Sequence, residues 1–407
     1  MARRKILWLS HNIPFPPKTG VLQRNYNLLR EVSRLGEIHL LAVFQKAILP
    51  IKQDLDLARK ELMKLCASVG IIHLPIDNSR AIFGWTALKS VVTRDPFAAN
   101  WIKSREMGKR IRRLAEDIRI DVAHFDTISL AVYKDDVGDV PSILNHHNIE
   151  SELMRRRSGI ETNLAKKNYY RMEARKLLSF EKTQCPRFNV NFAVSPEDRD
   201  LLHRTMPDLK VEIVPNGVDT DYFKKTPGRE IKNRLIFAGG MNWYPNRDAV
   251  TYFARGIWPR LRNVDGMQFS VSLVGASPPP EIVELAPNDS RVLIPGFVDD
   301  IRPLFDEAEI FICPMRDGGG TRLKILDAMA MGKPMVSTRL GCEGIAVDEG
   351  RHALLADDPA TFASEIVRLA GDTDLRQRMA EEARRFVESK FSWKVIGEKV
   401  ASIYANL

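Results

Sequence analysis

The chain has 407 residues, of which 44% are hydrophobic and 28% are charged. These proportions exclude a disordered chain, and the length predicts two or three domains. No stretch reaches the roughly 18–20 uncharged apolar residues that a membrane-spanning helix needs. The four cysteines are scattered without metal-ligand or redox spacing, which is typical of a reduced, cytoplasmic protein.

Positive charge is concentrated in the first half of the chain. Residues 1–210 contain 36 Lys and Arg against 24 Asp and Glu, a net +12, whereas residues 211–407 contain 25 against 28. This asymmetry favours an anionic partner for the first half, with nucleic acid, an acidic membrane surface and a phosphorylated substrate as the candidates. A solvated basic surface without a partner is the alternative.

Short apolar runs alternate with helical patterns along the whole chain. In the first half they predict strands at Ile6–Leu9, Ile38–Phe44, Ile71–Leu74, Val122–Phe125, Ser142–Asn145 and Asn191–Val194. In the second half they predict strands at Val211–Val214, Leu235–Ala238, Phe269–Val274, Val292–Ile294, Ile310–Cys313 and Met335–Ser337. Helices are predicted between them, for example at Leu22–Leu35, Trp101–Arg119, Ser151–Phe180, Asn246–Leu261, Arg322–Met331 and Pro359–Ala370. Such alternation is typical of parallel sheets with helices on both faces.

Because the pattern occurs twice, the sequence predicts an α/β protein with two doubly wound, Rossmann-like parallel-sheet domains. We expect the first domain at 1–210, the second at 211–390, and a final helix at 391–407 that packs back toward the first domain. Ser392 is suited to cap that helix. Open parallel sheets bind ligands at the carboxyl ends of their strands, so we expect a ligand cleft between the two domains.

The strongest candidate site is a glycine-rich turn between the strand at Ile310–Cys313 and a helix that Gly332 can terminate. It contains Gly318, Gly319, Gly320 and Thr321, followed by Arg322 and Lys324. Glycines let the backbone approach a ligand, and the free amides of a helix N-terminus attract anions. Cations are normally unfavourable at that end of a helix, so two of them there indicate a bound anion. A surface turn with two solvated basic side chains is the alternative, and the turn does not match a Walker loop.

Asp327 follows Lys324 on the same face of this predicted helix, among apolar neighbours. We therefore expect a half-buried carboxylate, which needs a partner. That partner is either a set of ligand hydroxyls or Lys324 itself, in a purely structural pair.

Several segments together resemble the retaining glycosyltransferases of GT-B fold in the large glycogen-synthase-like and mannosyltransferase-like family. Val214–Phe223 is similar to the family's strand and Pro-Asn-Gly-Val-Asp element, and Leu235–Met241 to the first strand of its donor domain. Gly296–Val298 resembles the loop that reads the base, and Leu326–Val336 resembles the family's Leu-Glu-Ala-Met-Ala signature. The resemblance covers nearly the whole chain and makes 1–210 the acceptor-side domain and 211–390 the nucleotide-sugar donor domain.

The resemblance implies roles for individual residues. Arg322 and Lys324 would neutralise the donor diphosphate, Asp327 would bind the ribose hydroxyls, and His147 would face the donor sugar. His147 is adjacent to His146, and the register between the two stays open at this point. The other donor-binding positions are Gly20, Gly240, Phe297, Val298, Asp317, Gly318, Gly319, Gly320 and Thr321.

The implied reaction is transfer of a hexose from a nucleoside-diphosphate sugar to a glycan or polyprenyl-linked acceptor, with retention of configuration. It needs no obligatory metal and no other cofactor. The chain departs from the family where Gly319 and Asp327 stand at two glutamate positions, and Asp317 is a candidate for the missing carboxylate. Met241 and Asn246 stand where the family has Arg and Lys. The run Gly-Thr-Arg-Leu-Lys resembles a subgroup associated with exopolysaccharide synthesis.

Two other functions compete with this one. A catalytically silent glycosyltransferase-like subunit would account for Gly319 and Asp327. A nucleic-acid-binding protein would account for the basic first half, but the sequence contains no nucleic-acid-binding signature, so we expect no nucleic-acid partner. The basic charge also fits an acceptor at an anionic membrane, with the protein cytoplasmic and peripheral at its inner face.

Overall fold

The computed structural model describes residues 3–17, 20–45, 52–74, 80–318 and 321–407. The chain divides into two compact units, the first comprising Met1–Pro215 and Gly397–Leu407, the second Asn216–Ile396. Each unit contains one parallel β-sheet with helices. The protein therefore has the two Rossmann-like parallel-sheet domains that the sequence predicts.

The first unit is built on a seven-stranded sheet. Its strands are β1 (Arg4–Ser10), β2 (Gly36–Phe44), β3 (Ser68–His73), β4 (Val122–Phe125), β5 (Ser142–Asn145), β6 (Val190–Ala193) and β7 (Val211–Ile213). Their order across the sheet is β3-β2-β1-β4-β5-β6-β7, and every neighbouring pair is parallel. All residues of β4 and β5 are buried, as expected for central strands covered on both faces.

Among the described residues, eight α-helices belong wholly to the first unit. They are α1 (Gly20–Val32), α2 (Lys52–Leu62), α3 (Arg80–Val92), α4 (Phe97–Ile102), α5 (Arg105–Asp117), α6 (Glu150–Ile160), α7 (Leu164–Gln184) and α8 (Pro196–Thr205). Polar caps divide two of the predicted helices, since a cap side chain satisfies amides that a continuous helix would use. Ser104 accepts the Met107 amide and starts α5, and Asn163 accepts the Lys166 amide and starts α7.

The second unit is built on a six-stranded sheet. Its strands are β8 (Arg234–Ala238), β9 (Ser270–Val274), β10 (Val292–Gly296), β11 (Ile310–Cys313), β12 (Met335–Ser337) and β13 (Leu354–Leu355). Their order is β10-β9-β8-β11-β12-β13, again with parallel neighbours. One continuous core of buried apolar side chains fills this unit.

The helices of the second half follow the same alternation. They are α9 (Tyr244–Tyr252), α10 (Trp258–Leu261), α11 (Pro280–Val283), α12 (Leu285–Asn288), α13 (Arg302–Glu307), α14 (Leu323–Ala330), α15 (Pro359–Gly371), α16 (Thr373–Lys390) and α17 (Trp393–Ala405). A π-helical turn at Phe253–Ile257 joins α9 to α10. Gly332 adopts a positive φ of 60° just beyond α14, the conformation expected of a glycine that ends a helix.

Each of the twelve predicted strands overlaps a strand of the structure, but one lies in a different sheet from the one expected. The sequence predicted that Val211–Val214 opens the second domain, whereas β7 pairs with β6 and completes the first sheet. A strand of three residues carries no pattern that says which sheet it joins. The last residues of the chain, Gly397–Leu407, also belong to the first unit, where the Tyr404 hydroxyl lies 2.8 Å from Nδ1 of His124.

In both sheets the strand order reverses beside the first strand. The reversal lies between β1 and β4 in the first unit and between β8 and β11 in the second. At such a point the connections on the two sides of the sheet leave in opposite directions, which opens a crevice at the carboxyl ends of the strands. The candidate site residues are therefore expected at the carboxyl ends of the strands in each sheet.

Candidate functional site

Glycines occupy the carboxyl ends of neighbouring strands in the second unit. Gly239 follows β8 with φ +158°, and Gly275 follows β9 with φ +155°. A Cβ on Gly275 would lie 2.0 Å from the carbonyl oxygen of Gly239, and a Cβ on Gly239 would lie 2.5 Å from Nζ of Lys324. Only glycine fits at these positions, so bare backbone lines this edge of the sheet.

Arg322 lies at the beginning of α14 and is almost fully enclosed, with 4% of its surface exposed. Its Nη2 donates to the carbonyl oxygen of Gly318 at 2.9 Å and lies 3.7 Å from Oε2 of Glu343. The alternative of a solvated arginine on a surface turn is therefore wrong for this residue. Gly319 and Gly320, the other two glycines of the predicted turn, lie outside the described residues.

Lys324 is half-buried in the first turn of α14. Its ammonium donates to Oδ1 of Asn246 at 2.5 Å and lies 4.4 Å from the centre of the Phe237 ring. Among the described residues, no carboxylate oxygen lies within 4 Å of this ammonium. Burial lowers the pKa of Lys324 to about 8, because the charged form has lost water without gaining a counter-ion.

Asp327 is half-buried, as the sequence predicts, and its Oδ1 is enclosed without a hydrogen-bond partner among the described residues. Burial raises the pKa of Asp327 to about 8, against the opposing effect of the Lys324 charge. No direct ion pair joins the two side chains within 4 Å, so the structural Lys–Asp pair is absent from the described part of α14. A carboxyl group without a protein partner is suited to bind ligand hydroxyls.

The turn before α14 is held in place by neighbouring polar groups. Nδ2 of Asn216 donates to the carbonyl oxygen of Thr321 at 3.3 Å, and both residues are buried. Oδ1 of Asp317 accepts the amide of Gly318 at 2.6 Å, and Gly318 has a φ of +111°. The Asp317 carboxylate thus stabilises the turn. One of its two oxygens is engaged in this hydrogen bond, although the sequence makes Asp317 a candidate for the missing carboxylate.

The other predicted positions of the donor site follow β8 and β10. The carbonyl oxygen of Gly240 accepts Nδ2 of Asn246 at 2.8 Å, so Asn246 joins Gly240 to Lys324. Phe297 follows β10 with 55% of its surface exposed, and Val298 is half-buried against the core. A large exposed aromatic side chain therefore stands at the end of β10.

Of the two site residues predicted in the first unit, Gly20 is exposed at the first residue of α1. The structure distinguishes the two adjacent histidines. The His146 ring is buried, with Nε2 3.2 Å from Oδ1 of Asn191, and burial lowers its pKa to about 4. The His147 ring turns the other way, and its Nε2 lies 3.0 Å from Oδ1 of Asp126.

His147 belongs to a polar cluster that the sequence did not reveal. Asp126 follows β4 and is fully buried, and His11 follows β1 with its Nδ1 3.3 Å from Oδ2 of Asp126. Asn145 ends β5 and donates to Oδ1 of Asp126 at 3.0 Å, while the buried Arg24 donates to Oδ1 of Asn145 at 2.8 Å. The sequence could have indicated this cluster, because these polar residues follow the carboxyl ends of three predicted strands.

Two family models match the chain, "Glycosyltransferase Family 4" over residues 61–222 and "Glycosyl transferases group 1" over residues 232–372. The D-inositol 3-phosphate glycosyltransferase of Corynebacterium jeikeium is 35% identical over 119 residues, which cover 29% of this chain and 28% of that protein. An uncharacterized 44.6 kDa protein of the cps region of Klebsiella pneumoniae is 31% identical over 24% of this chain and 25% of its own length. The matched segments thus span about a quarter of these two curated relatives.

Solved structures resemble the chain over its full length. Sucrose-phosphate synthase from Thermosynechococcus elongatus has a TM-score of 0.72 at 15% identity, covering 99% of both chains. Anabaena HepE in complex with UDP has a TM-score of 0.66 at 15% identity, covering 99% of this chain and 100% of that one. At such low sequence identity these similarities show that the fold is shared, and nothing more.

The protein has the GT-B fold, and the two family matches together with this fold support a glycosyltransferase. No helix in the described part of the chain combines the length and the apolar character that crossing a bilayer demands.

Proposed function

We propose that the chain transfers a hexose from a nucleoside-diphosphate sugar to a glycan or polyprenyl-linked acceptor with retention of configuration, in surface polysaccharide synthesis. The observation that carries the proposal is the enclosure of Arg322 and Lys324 at the N-terminal end of α14. A half-buried ammonium without a counter-ion is unfavourable in the free protein, and a bound diphosphate would provide the missing charge.

The two cations would act most strongly as the bond between sugar and phosphate breaks. The leaving diphosphate gains negative charge in that step, and preorganised donors in a water-poor site stabilise it. Neither residue needs to change its protonation state, provided that the pH stays below the lowered pKa of Lys324. The residues of this chain thereby supply the charge stabilisation, so we propose transfer without an obligatory metal.

We propose the remaining contacts from the roles that the family resemblance implies. Asp327, whose Oδ1 lacks a protein partner, would bind the ribose hydroxyls. The loop of Phe297 and Val298 would contact the base, and His147 would contact the sugar. Complexes of Anabaena HepE contain UDP, UDP with glucose, and UDP-glucose, and these are the first donors to test.

An exposed apolar row on α3 supports an acceptor at a membrane surface. The side chains of Trp85, Leu88 and Val92 expose 66%, 58% and 78% of their area at helical spacing. A row of large apolar side chains on a basic unit is suited to an anionic bilayer, where apolar insertion and charge attraction act together. We therefore propose peripheral attachment through α3.

Flotation with vesicles containing anionic lipid tests this attachment. The double variant Trp85→Ser with Leu88→Ser is expected to stay with the soluble fraction while the wild type floats. Leu164→Ser, which removes a single apolar side chain that is 74% exposed on α7, is the matched control and should float like the wild type. Equal flotation of all three proteins would contradict the role of α3.

The reaction itself is tested by incubating the purified protein with UDP-, GDP- and ADP-sugars and measuring hydrolysis or transfer. Arg322→Gln and Lys324→Met are expected to lower turnover by about 10²–10³, the usual loss for one stabilising group. Lys394→Met, a change at an exposed position in the first turn of α17, is the control and should leave turnover unchanged. Wild-type activity in both site variants would refute the proposed site, and absence of turnover with every donor would favour the silent subunit.

A further inference from the structure

Three groups from neighbouring strands meet where the strand order of the first sheet reverses. His11 follows β1, Asp126 follows β4 and His147 follows β5. Nδ1 of His11 faces Oδ2 of Asp126 at 3.3 Å, and Nε2 of His147 faces Oδ1 at 3.0 Å. The positions of the protons in this cluster decide what it can do, and the surrounding contacts determine them.

The proton of His11 is located by a chain of contacts that begins at Trp8. The indole nitrogen of Trp8 can only donate, and it donates to Oδ1 of Asn25 at 3.2 Å. The amide nitrogen of Asn25 therefore points to Oδ1 of Asn12 at 3.3 Å, which leaves Nδ2 of Asn12 to donate to Nε2 of His11 at 3.0 Å. Since Nε2 of His11 accepts, the ring proton lies on Nδ1 and faces Asp126.

The proton positions at Asp126 and His147 follow from their contacts in the same way. The guanidinium of Arg24 donates to Oδ1 of Asn145, so the amide nitrogen of Asn145 donates to Asp126. Burial opposes ionisation of Asp126, but the two nearby imidazoles and the hydrogen bond from His147 hold its pKa below its usual range. Asp126 is therefore a carboxylate that only accepts, and His147 must carry its proton on Nε2.

Burial lowers the pKa of His147 from its ordinary value of 6.5, so the ring is neutral at pH 7 and its Nδ1 carries no proton. This nitrogen has no hydrogen-bond partner among the described residues. We propose that Asp126 is a positioning residue, which holds His147 in the Nε2–H form and presents Nδ1 as the acceptor for a hydroxyl group of the donor sugar. This inference rests on the proposed function for the identity of the ligand. Asn145 donates to this carboxylate and His11 faces it at 3.3 Å, so these two residues hold the carboxylate that orients the His147 ring.

A divalent metal is the competing occupant of the cluster. The ligand atoms of His11, Asp126 and His147 lie within 4.8 Å of one another, and two imidazoles with a carboxylate are suited to Zn²⁺. Both nitrogens that face Asp126 carry protons in the network described above, and a metal would have to displace them. For His11 the displaced proton would have to move to Nε2, which accepts from Asn12 in this network, so a metal would also break that hydrogen bond.

The first test is NMR of the full chain labelled with ¹⁵N-histidine, which reports the tautomer of each imidazole without any substrate. We expect His147 to be protonated at Nε2 and His11 at Nδ1, with both ring protons protected from exchange. In Asp126→Asn one or both of these proton signals should be lost. Asp306→Asn, which alters a buried aspartate that accepts the Thr226 amide in the second unit, should leave them unchanged. A wild-type His147 protonated at Nδ1 would overturn the proposal.

The second test is a double-mutant cycle on transfer from UDP-glucose. Asp126→Asn should lower the rate by about 10–100-fold, by analogy with the loss seen when the hydrogen-bond partner of a metal-bound imidazole is removed. His147→Gln should lower it at least as much, and the double variant should be no slower than His147→Gln alone, because Asp126 acts through His147. Fully additive losses would contradict this role.

The two tests separate the possible failures. Absence of turnover with the expected tautomers would refute the proposed function but not the arrangement of protons. One equivalent of Zn²⁺ retained on dialysis by the wild type and lost in His11→Gln would overturn the proposal and identify a metal site.

Discussion

Replacing Lys324 by Met should stabilise the free protein. The pKa of Lys324 is lowered from 10.5 to about 8 in the folded chain, chiefly by burial. At pH 7 the side chain is protonated in both the folded and the unfolded state, so the folded state bears the whole penalty. Since each pKa unit corresponds to about 1.4 kcal/mol, this penalty amounts to at most about 3.5 kcal/mol.

Other effects of the substitution reduce this gain. Met fills a similar volume but gives up the hydrogen bond to Asn246 and the contact with the Phe237 ring. Asp327 also loses a nearby positive charge, although its own pKa of about 8 keeps it largely protonated at pH 7. We therefore expect a net gain of about 1–2 kcal/mol in the free energy of unfolding, after an offset of about 1 kcal/mol for a lost hydrogen bond.

Thermal unfolding at two pH values measures the effect. At pH 7 the Lys324→Met variant should unfold several degrees above the wild type, at about 2–4 °C per kcal/mol for a unit of this size. The wild-type penalty disappears as pH rises from about 8 to 10.5, so the advantage of the variant should shrink by pH 10.

Lys333 is the matched control, since it is fully buried but satisfied. Its ammonium donates to Oε1 of Glu230 at 2.8 Å and to the carbonyl oxygen of Ala308 at 2.7 Å. Lys333→Met should therefore destabilise the protein by about 1–3 kcal/mol, because buried acceptors lose their donor. A Lys324→Met variant that is less stable than the wild type at pH 7 would refute the view of Lys324 as a cation without a counter-ion.

Three further predictions concern the second unit. The affinity for UDP should fall by up to about tenfold per pH unit above pH 8, because Lys324 loses the proton that a bound diphosphate favours. Calorimetry at several pH values should show this fall in the wild type and a weaker dependence of affinity on pH in Lys324→Met. Asn216→Ala removes the donor to the carbonyl oxygen of Thr321, so it should lower the free energy of unfolding by about 1 kcal/mol and weaken UDP binding. Thermal-shift measurements with and without UDP report both effects. Gly275→Ala should prevent folding of the second unit, because the new Cβ would lie 2.0 Å from a backbone oxygen. Gly371→Ala is the control, since the nearest atom to its Cβ lies 3.6 Å away. Circular dichroism should show a normal fold for Gly371→Ala only.

The sequence predicted the sheets well because their strands are buried on both faces and appear as short apolar runs. It could not assign β7, whose three residues are all half-buried, or detect β13, which has only two. Strand pairing joins residues distant in the chain, and short strands carry too few side chains to specify a partner. The position of the boundary between the units depends on these pairings.

The candidate site was predictable only in part, for a related reason. The order of Gly318, Arg322 and Lys324 before a helix is a local pattern, so the sequence could indicate an anion site there. The cluster of His11 and Asp126 is formed by residues more than a hundred positions apart, which only the strand order brings together. The enclosure of Arg322 is likewise a tertiary property, since it depends on Gly318 and Glu343.

The central claim is that the beginning of α14 binds the diphosphate of a nucleotide. Isothermal calorimetry that compares UDP with UMP, and GDP and ADP with their monophosphates, measures the contribution of the second phosphate directly. With the preferred base, the diphosphate should bind at least about tenfold more tightly than the monophosphate, equivalent to about 1.4 kcal/mol, and this ratio should approach one in Arg322→Gln. Equal affinities in the wild type, or an unchanged ratio in the variant, would contradict the account.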